Sequence, residues 1–463
     1  MFHHVPRARL GLPMVAVLGV LFVAGCGSSK SSSSASSTSS STPAAASSST
    51  TTTAAAASTS TSSCGPKPGV AATGTPISLG AINTKEPGTD FTDIENMEGA
   101  YFACVNANGG VNGHPINLIK LTEATQPAQI AADASKLVQT DHVDGVSGSS
   151  SILECTINSA YWQKLHYYVI AAGIAPECYS TPNYADVNMG PRYSSDGAVQ
   201  YVLTLHPSKI VFDQSNVPGT GYIAAGPAAL AANAHIPITQ LTENVPITSA
   251  DSIAIKLVDA AGPSGAVVLN FTPPEALLIL QAAQKLNLED RVKYWACSTP
   301  CNTDFLATSL GPKWNDKLFV NAELTPLDGN TSPTAELYYA ILKQYGSDVS
   351  GGVGSFSEMG FVQGEVATHA LESIKGAYTI ASVSAAFKAV SDFNTGLLCQ
   401  AFTYGDYSEH IPNNMDYTVT PDNGKFVEAP TGGGCTLIPD TDPQIAAYRA
   451  IAGTAPSVNP PLS

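Results

Sequence analysis

From Pro76 onward, short apolar runs alternate with amphipathic segments, and the alternation occurs twice. A chain written this way has few options beyond parallel sheets covered by helices on both faces. Residues 77–82 form the first apolar run. Ile94, Met97, Tyr101, Cys104, Val105 and Asn108 then fall on one side of a predicted helix, which Asn108-Gly109-Gly110 ends. A second strand is predicted over 116–121. Pro127 opens a helix whose Ile130, Ala134, Leu137 and Val138 recur at i, i+4, i+7 and i+8. Third and fourth strands are predicted at 143–146 and 167–172. The pattern restarts at 209–213, with further strands at 236–241, 266–271, 292–296 and 318–321 and helices at 222–234, 252–261 and 274–286. Helices over 334–345, 356–374 and 382–390 follow. A hairpin about Pro-Asp-Asn-Gly is predicted within 414–428. Two runs of similar length predict two doubly wound, Rossmann-like lobes rather than one large sheet.

In open α/β sheets, ligands sit beyond the C-terminal ends of the strands. The loops after Ile82, Val146, Ala172, Asp213, Phe271 and Ala296 are therefore expected to line one cleft. Residues 143–155, Val-Asp-Gly-Val-Ser-Gly-Ser-Ser-Ser-Ile-Leu-Glu-Cys, are the most suggestive of these. A strand running into small hydroxyl residues, with a helix from about Ile152, offers N–H groups, Ser hydroxyls and the positive end of a helix dipole together. Plain turn chemistry uses the same residues. Position at a strand end is what turns Ser149 and Ser150 into binding candidates.

The N-terminus carries Arg7 and Arg9, then an apolar run over 10–24, then Val23-Ala24-Gly25-Cys26. The run is too short for a membrane span. It predicts a signal over 1–25, and Val23-Ala24-Gly25-Cys26 resembles a bacterial lipobox, with Val where Leu is more usual, which implies cleavage before Cys26 and acylation of its thiol. Residues 27–63 are almost wholly Ser, Thr and Ala and have no core to build. As a flexible coil they would reach ~35 Å. Losing Arg7 and Arg9 with the signal takes the formal charge from −16 to −18, which argues against nucleic acid and anionic lipid as partners. Eight cysteines remain besides Cys26, an even number that fits four disulfides in an exported protein. Parity leaves 105 pairings open. Sequence proximity favours Cys155–Cys178, Cys297–Cys301 and Cys399–Cys435, leaving Cys64 with Cys104, though Cys104 also reads as a buried thiol. A metal at Cys297-x3-Cys301 would lack a nearby His or second Cys pair. No Ser-His-Asp or Cys-His ordering, Walker loop or Gly-x-Gly-x-x-Gly stands out. The expectation is a binding protein with no enzymatic role, cofactor or metal.

Asn106-Ala107-Asn108-Gly109-Gly110-Val111-Asn112-Gly113-His114-Pro115-Ile116 resembles the helix-to-strand step of periplasmic binding proteins of the Leu/Ile/Val-binding type. The Gly/Ser loop at 148–151 resembles that family's ligand loop. Cys155 with Cys178 is similar to a disulfide seen close to it. Phe356-Ser357-Glu358-Met359-Gly360-Phe361, ahead of a long helix ending Ala370-Leu371-Glu372, is similar to the family's late helix. The resemblance spans residues 76–427. It implies a type I fold of two lobes joined by three hinge strands, closing on a small solute and presenting it to an ABC permease. It places ligand contacts at Ser149, Ser150, Gly173, Ile174, Asp90 and Phe91 in the first lobe. In the second lobe it places them at Phe271, Thr272, Ser298 and Thr299. Tyr193 stands nearest to the acid that amino-acid binders carry where the chain leaves the first lobe.

Three departures bear on the ligand, the first being Tyr193 where the family places the first-lobe acid. Ser298-Thr299-Pro300 occupies the position of the second-lobe acid, and Val217-Pro218 the position of a clamping aromatic. A less charged ligand, such as an amide, a small acid or an aromatic compound, fits as well as an amino acid. Phe271 and Phe361 also read as core residues, and Asp90 and Glu358 as solvated or helix-start acids. The expected organisation is signal 1–25, lipidated Cys26 with linker to 75, first lobe 76–193 and 324–412, second lobe 194–323 and 413–438, and a Pro-rich, poorly ordered tail 439–463. The expected product is a monomeric, lipid-anchored, extracytoplasmic solute-binding protein of an ABC importer. A ligand sensor of the same fold signalling to a membrane partner is the alternative.

Overall fold

The structure is a computed structural model, and it describes residues 64–431 and 434–453. The signal, Cys26 and the linker up to residue 63 lie outside the described residues. The chain supplies, in order, β1 (Ile77–Glu86), β2 (Thr89–Asp90), α1 (Thr92–Ala107), β3 (Ile116–Glu123), α2 (Pro127–Gln139), β4 (Gly145–Ser149), α3 (Glu154–Lys164), β5 (Val169–Ala171), α4 (Pro176–Tyr179) and β6 (Tyr184–Asp186). Next come α5 (Gly190–Thr204), β7 (Ile210–Ser215), α6 (Ala225–Asn233), β8 (Ile238–Glu243), α7 (Ala250–Ala261), β9 (Ala266–Asn270), α8 (Pro273–Lys285), β10 (Tyr294–Cys297), α9 (Asp304–Ser309) and β11 (Leu318–Ala322). The chain ends with α10 (Pro333–Tyr345), α11 (Ser355–Glu372), α12 (Ile380–Lys388), β12 (Met415–Asp422), β13 (Lys425–Glu428), β14 (Thr436–Leu437) and α13 (Pro443–Ala452).

These elements build two lobes around two sheets. The first sheet runs β3-β1-β4-β5-β6, all parallel, with β2 folded back on β1. The second runs β13-β12-β11-β10-β9-β7-β8, parallel except for β12 and β13. Central strands such as Ala-Val-Val-Leu-Asn in β9 and Leu-Phe-Val-Asn-Ala in β11 are buried along their whole length. A parallel sheet covered on both faces requires this. The edge strand β8, Ile-Thr-Gln-Leu-Thr-Glu, is largely polar and stays partly wet. Each sheet carries an apolar cluster on each face. The hairpin is as predicted: Asp422 pairs with Lys425 across Asn423-Gly424, whose φ values are +50° and +82°. This matches the left-handed pair that a two-residue turn of this kind needs.

The three cysteine pairs favoured by sequence proximity are bonded, and so is the remaining pair, Cys64–Cys104, so Cys104 is not a free buried thiol. Cys155–Cys178 ties α3 to α4 beside the Gly/Ser loop, and Cys399–Cys435 joins the segment before β12 to the stretch before β14.

Three expectations need correction. Ser147, Gly148 and Ser149 belong to β4 and not to a loop, and α3 starts at Glu154 and not Ile152. The stretch after residue 172, left without assigned elements, holds α4, β6 and the long α5. Helix α5 is hard to see in the sequence because its first half buries Ser194, Ser195, Asp196 and Gly197, and most of its apolar contacts, Ala198, Val199, Tyr201 and Val202, fall in the second half. The tail is not wholly irregular. Helix α13 forms at 443–452, with Ile445 fully buried and Asp442 held by two bonds of 2.6 Å from the Arg192 guanidinium. A bidentate pair of this kind is the strong form of Arg–carboxylate contact.

Gly148 has a φ of +90°, and a Cβ there would run into the Glu98 carboxylate. Both effects point the same way. Gly148→Ala is expected to lower stability by about 2 kcal/mol or more, read as a shift in the urea midpoint. An unchanged midpoint would show that β4 relaxes freely around Glu98.

Candidate functional site

The C-terminal strand ends of the two sheets face each other, and the lobes touch across the gap. Thr272 Oγ1 donates to the Gly88 carbonyl at 2.8 Å, and the Tyr222 hydroxyl donates to the Ile174 carbonyl. On the other side, Ser355 N–H donates to Asn302 O at 2.9 Å and Asp304 N–H to Val353 O at 3.0 Å. The cleft is therefore closed.

Two small cavities remain inside it. One, of about 70 Å³, is lined by Phe91, Ile94, Ser150, Ile174, Asn188, Pro191, Ser194, Thr299, Pro300, Glu323, Phe356 and Met359 among others. Its neighbour, of about 60 Å³, shares Phe91, Ile174, Pro191 and Pro300 and adds Val217, Thr220, Ile223, Asn270, Phe271 and Thr272. Neither has a Lys, Arg or His in its lining, and Glu323 is the single ionisable residue among those described.

Glu323 lies one residue past β11, where the chain returns from the second lobe to the first. It is 1% exposed; Oε2 accepts the Met189 N–H at 2.7 Å, and Oε1 has no partner. Burial, with a smaller push from the Asp416 charge, raises its carboxyl from 4.5 to about 8. At neutral pH it is therefore mostly protonated. Glu358 on α11, buried as well, is pushed up to about 8 by its own burial and then by Glu323. It is a first-turn acid of α11, as read, yet it is 3% exposed and not solvated.

Of the residues expected to bind, the fold brings Phe91, Ser150, Ile174, Phe271, Thr272 and Thr299 to these cavities. The Ser150 hydroxyl makes no hydrogen bond to another described residue, but its N–H donates to Ile82 O at 3.1 Å and Ile152 N–H donates to Thr84 Oγ1 at 3.0 Å. Two amides of the stretch read as a free cradle, those of Ser150 and Ile152, are thus already bonded within the first lobe. Five residues lie elsewhere. Ser149 Oγ accepts Ile82 N–H within the sheet, at 3.1 Å. Gly173 is packed against Cys178 and Asp186. Tyr193 stacks edge-on to Tyr179 with 5.8 Å between ring centres. Ser298 Oγ donates to Asn270 Oδ1 at 2.7 Å. Asp90 lines a separate outer cavity, paired to Lys85 at 2.9 Å and bonded to Thr92 at the start of α1. Phe361 is core, as read.

Glu323 was missed, although its signal was present: an acid directly after a mostly apolar strand, at a strand end. Asn188, Pro191 and Ser194 were missed because β6 and α5 were.

A sequence profile described as "Periplasmic binding protein" matches residues 87–425. The chain belongs to the periplasmic binding protein family. Solved structures of similar fold include a possible leucine/isoleucine/valine-binding protein from Rhodopirellula baltica SH 1, at 17% identity and TM-score 0.63, covering 77% of this chain and 96% of that one. Another is a branched chain amino acid ABC transporter from Thermus thermophilus with bound valine, at 15% identity and TM-score 0.66, covering 78% and 97%. A third is a solute binding protein of an ABC transporter from R. palustris in complex with benzoate, at 14% identity and TM-score 0.62, covering 79% and 98%. No individually curated protein matches the sequence. This periplasmic binding protein thus has the type I two-lobe fold and a general solute-binding role. Among its described residues no helix is long and apolar enough to cross a membrane.

The raised Glu323 carboxyl has a pH consequence. The folded state favours the protonated form, while the unfolded chain ionises above 4.5. Its stability contribution is therefore lost as pH rises from about 4.5 to about 8, and is level below that window. Melting temperatures of wild type and Glu323→Gln, compared from pH 4 to 9, are expected to diverge across that window, with wild type falling relative to the variant. A constant difference would show that Glu323 titrates normally.

Proposed function

We propose that this protein is an extracytoplasmic solute-binding lipoprotein that captures a small polar molecule between its lobes and delivers it to an ABC importer. The observation that carries the reading is the unpartnered Glu323 Oε1 on an interlobe cavity, with the Ser150 hydroxyl on the same lining. Two polar groups without internal partners, surrounded by Phe91, Ile94, Ile174, Phe356 and Met359, are what a ligand's polar end would satisfy.

Of the candidate ligands (amino acid, amide or small organic acid), an uncharged head such as an amide fits best. Glu323 Oε2 accepts from Met189, so the proton of the neutral acid belongs on Oε1, where it is a donor for a ligand carbonyl. A carboxylate would find no cation among the lining residues, and a buried charge without a partner is costly. The relatives solved with valine and with benzoate bind solutes of this size range, which is consistent with the reading.

Closure is a hinge motion about the crossings near residues 193, 323 and 412, the proposed lobe boundaries. Asn413 Nδ2 donates to Val187 O at 3.2 Å and to Glu323 O at 3.0 Å, and Met189 N–H donates to Glu323. One asparagine and one acid thus gather all three crossings. A ligand that touches both lobes shifts the equilibrium toward the closed form. Lipidated Cys26 would hold the protein at the membrane.

A thermal-shift screen of amides, amino acids and small acids identifies the ligand, since binding the native state raises the melting point. For the best hit, Ser150→Ala with Thr272→Ala is expected to weaken binding about tenfold or more while leaving the unliganded melting point within a few degrees. Unchanged affinity would place the ligand outside this cleft. Cys26→Ala is expected to move the exported protein from the membrane fraction to the soluble fraction. Retention at the membrane would remove the lipid anchor from the proposal.

A further inference from the structure

The inner cavities, at about 70 and 60 Å³, are far smaller than the 300–1,000 Å³ that small-molecule pockets usually occupy. A third cavity of about 300 Å³ lies beside them, walled by both lobes. Pro273 and Pro274 at the start of α8, with Phe305 on α9, form one side, and Phe356 and the glycines before it form the other. Phe91 lines both inner cavities, and Phe356 lines one inner cavity and the outer one. The two rings meet edge to face, 5.3 Å between centres at 88°. They stand as a partition within one cleft.

The outer compartment offers apolar contact and little else. Phe305, 44% exposed, is one of the few large apolar side chains left in water. The acids of the rim already have partners: Asp93 accepts from Ser350 N–H at 2.7 Å and Gly351 N–H at 2.6 Å, and Asp90 pairs with Lys85. Their negative charge still disfavours an anion there.

We infer that the ligand is elongated, with a small uncharged polar head held at Glu323 and Ser150 and an apolar tail that passes the Phe91–Phe356 pair into the outer compartment. The inference rests on the proposed solute-binding reading and sharpens it. A head alone fills the inner space and leaves Phe305 in water. A tail of several carbons buries that ring, and it contacts both lobes only when the cleft is closed. Tail binding therefore adds to the bias toward closure. The rim acids require the far end of the tail to be uncharged or cationic.

The test is a homologous series on the exported chain with its disulfides intact: acetamide, butanamide, hexanamide and 3-phenylpropanamide, titrated calorimetrically. Affinity is expected to rise about tenfold or more from acetamide to hexanamide, since each buried methylene is favourable. Phe305→Ser, a surface substitution, is expected to weaken hexanamide and 3-phenylpropanamide at least fivefold while leaving acetamide within twofold. Adipamic acid, which carries a carboxylate at the tail end, is expected to bind more weakly than hexanamide. Equal affinity along the series, or equal loss of acetamide and hexanamide in Phe305→Ser, overturns the elongated ligand and leaves the amide-binding cleft standing. No binding by any member at any length overturns both.

Discussion

Both sheets are parallel at their centres and buried there on both faces, and the rest of the molecule follows from that constraint. A strand such as β9 or β11 has no polar face to spare, so groups that must meet a solute can emerge only where strands end. Two sheets with their ends opposed make one cleft, and Ser150, Ile174, Phe271, Thr299 and Glu323 arrive there from different strands. The chain need not bring them close in sequence. It needs only to make each strand the right length.

Strand length is also where residue types acquire their meaning. Ser147 and Ser149 look alike as letters, yet β4 runs to Ser149, and both hydroxyls are used internally, Ser147 on Glu98 and Ser149 under Ile82 N–H. Ser150, one position further, is the first whose side chain reaches the cavity with its hydroxyl unused. Gly148 between them is set by its positive φ and by the Glu98 carboxylate against it. A stretch that read as a loop of free amides and hydroxyls is thus partly sheet, and the polar group that faces the ligand space most sharply is an acid from the other lobe. That acid sits where three crossings meet, so its carboxylate and its backbone carbonyl both belong to the hinge.

Much of the architecture was legible because burial leaves a periodic trace. Apolar runs, 3.6-residue stripes, the glycines after α1 and the Asn-Gly turn of the hairpin all report local backbone geometry, and apart from the displaced third strand they appear where they were read. The four disulfides were legible through proximity and an even count. Helix α5 was not, since its first half, wedged against Asp416 and Asn321, buries Ser, Asp and Gly and leaves most of its apolar residues to the second half. Helix α13 was not, since the Pro and Gly around it read as a tail while Arg192, some 250 residues earlier, supplies the contact that holds Asp442.

The sequence by itself determined the class: two α/β runs, their order, the turn residues and the cysteines, because these are consequences of local conformation and of which side chains avoid water. Only the tertiary structure decided which polar groups face the cleft, that Glu323 is buried and mostly neutral there, and that Phe91 and Phe356 divide the space in two. Those properties depend on distances between residues far apart in the chain. Burial, the proximity of other acids and the length of a neighbouring strand set them, and no single stretch of sequence contains that information.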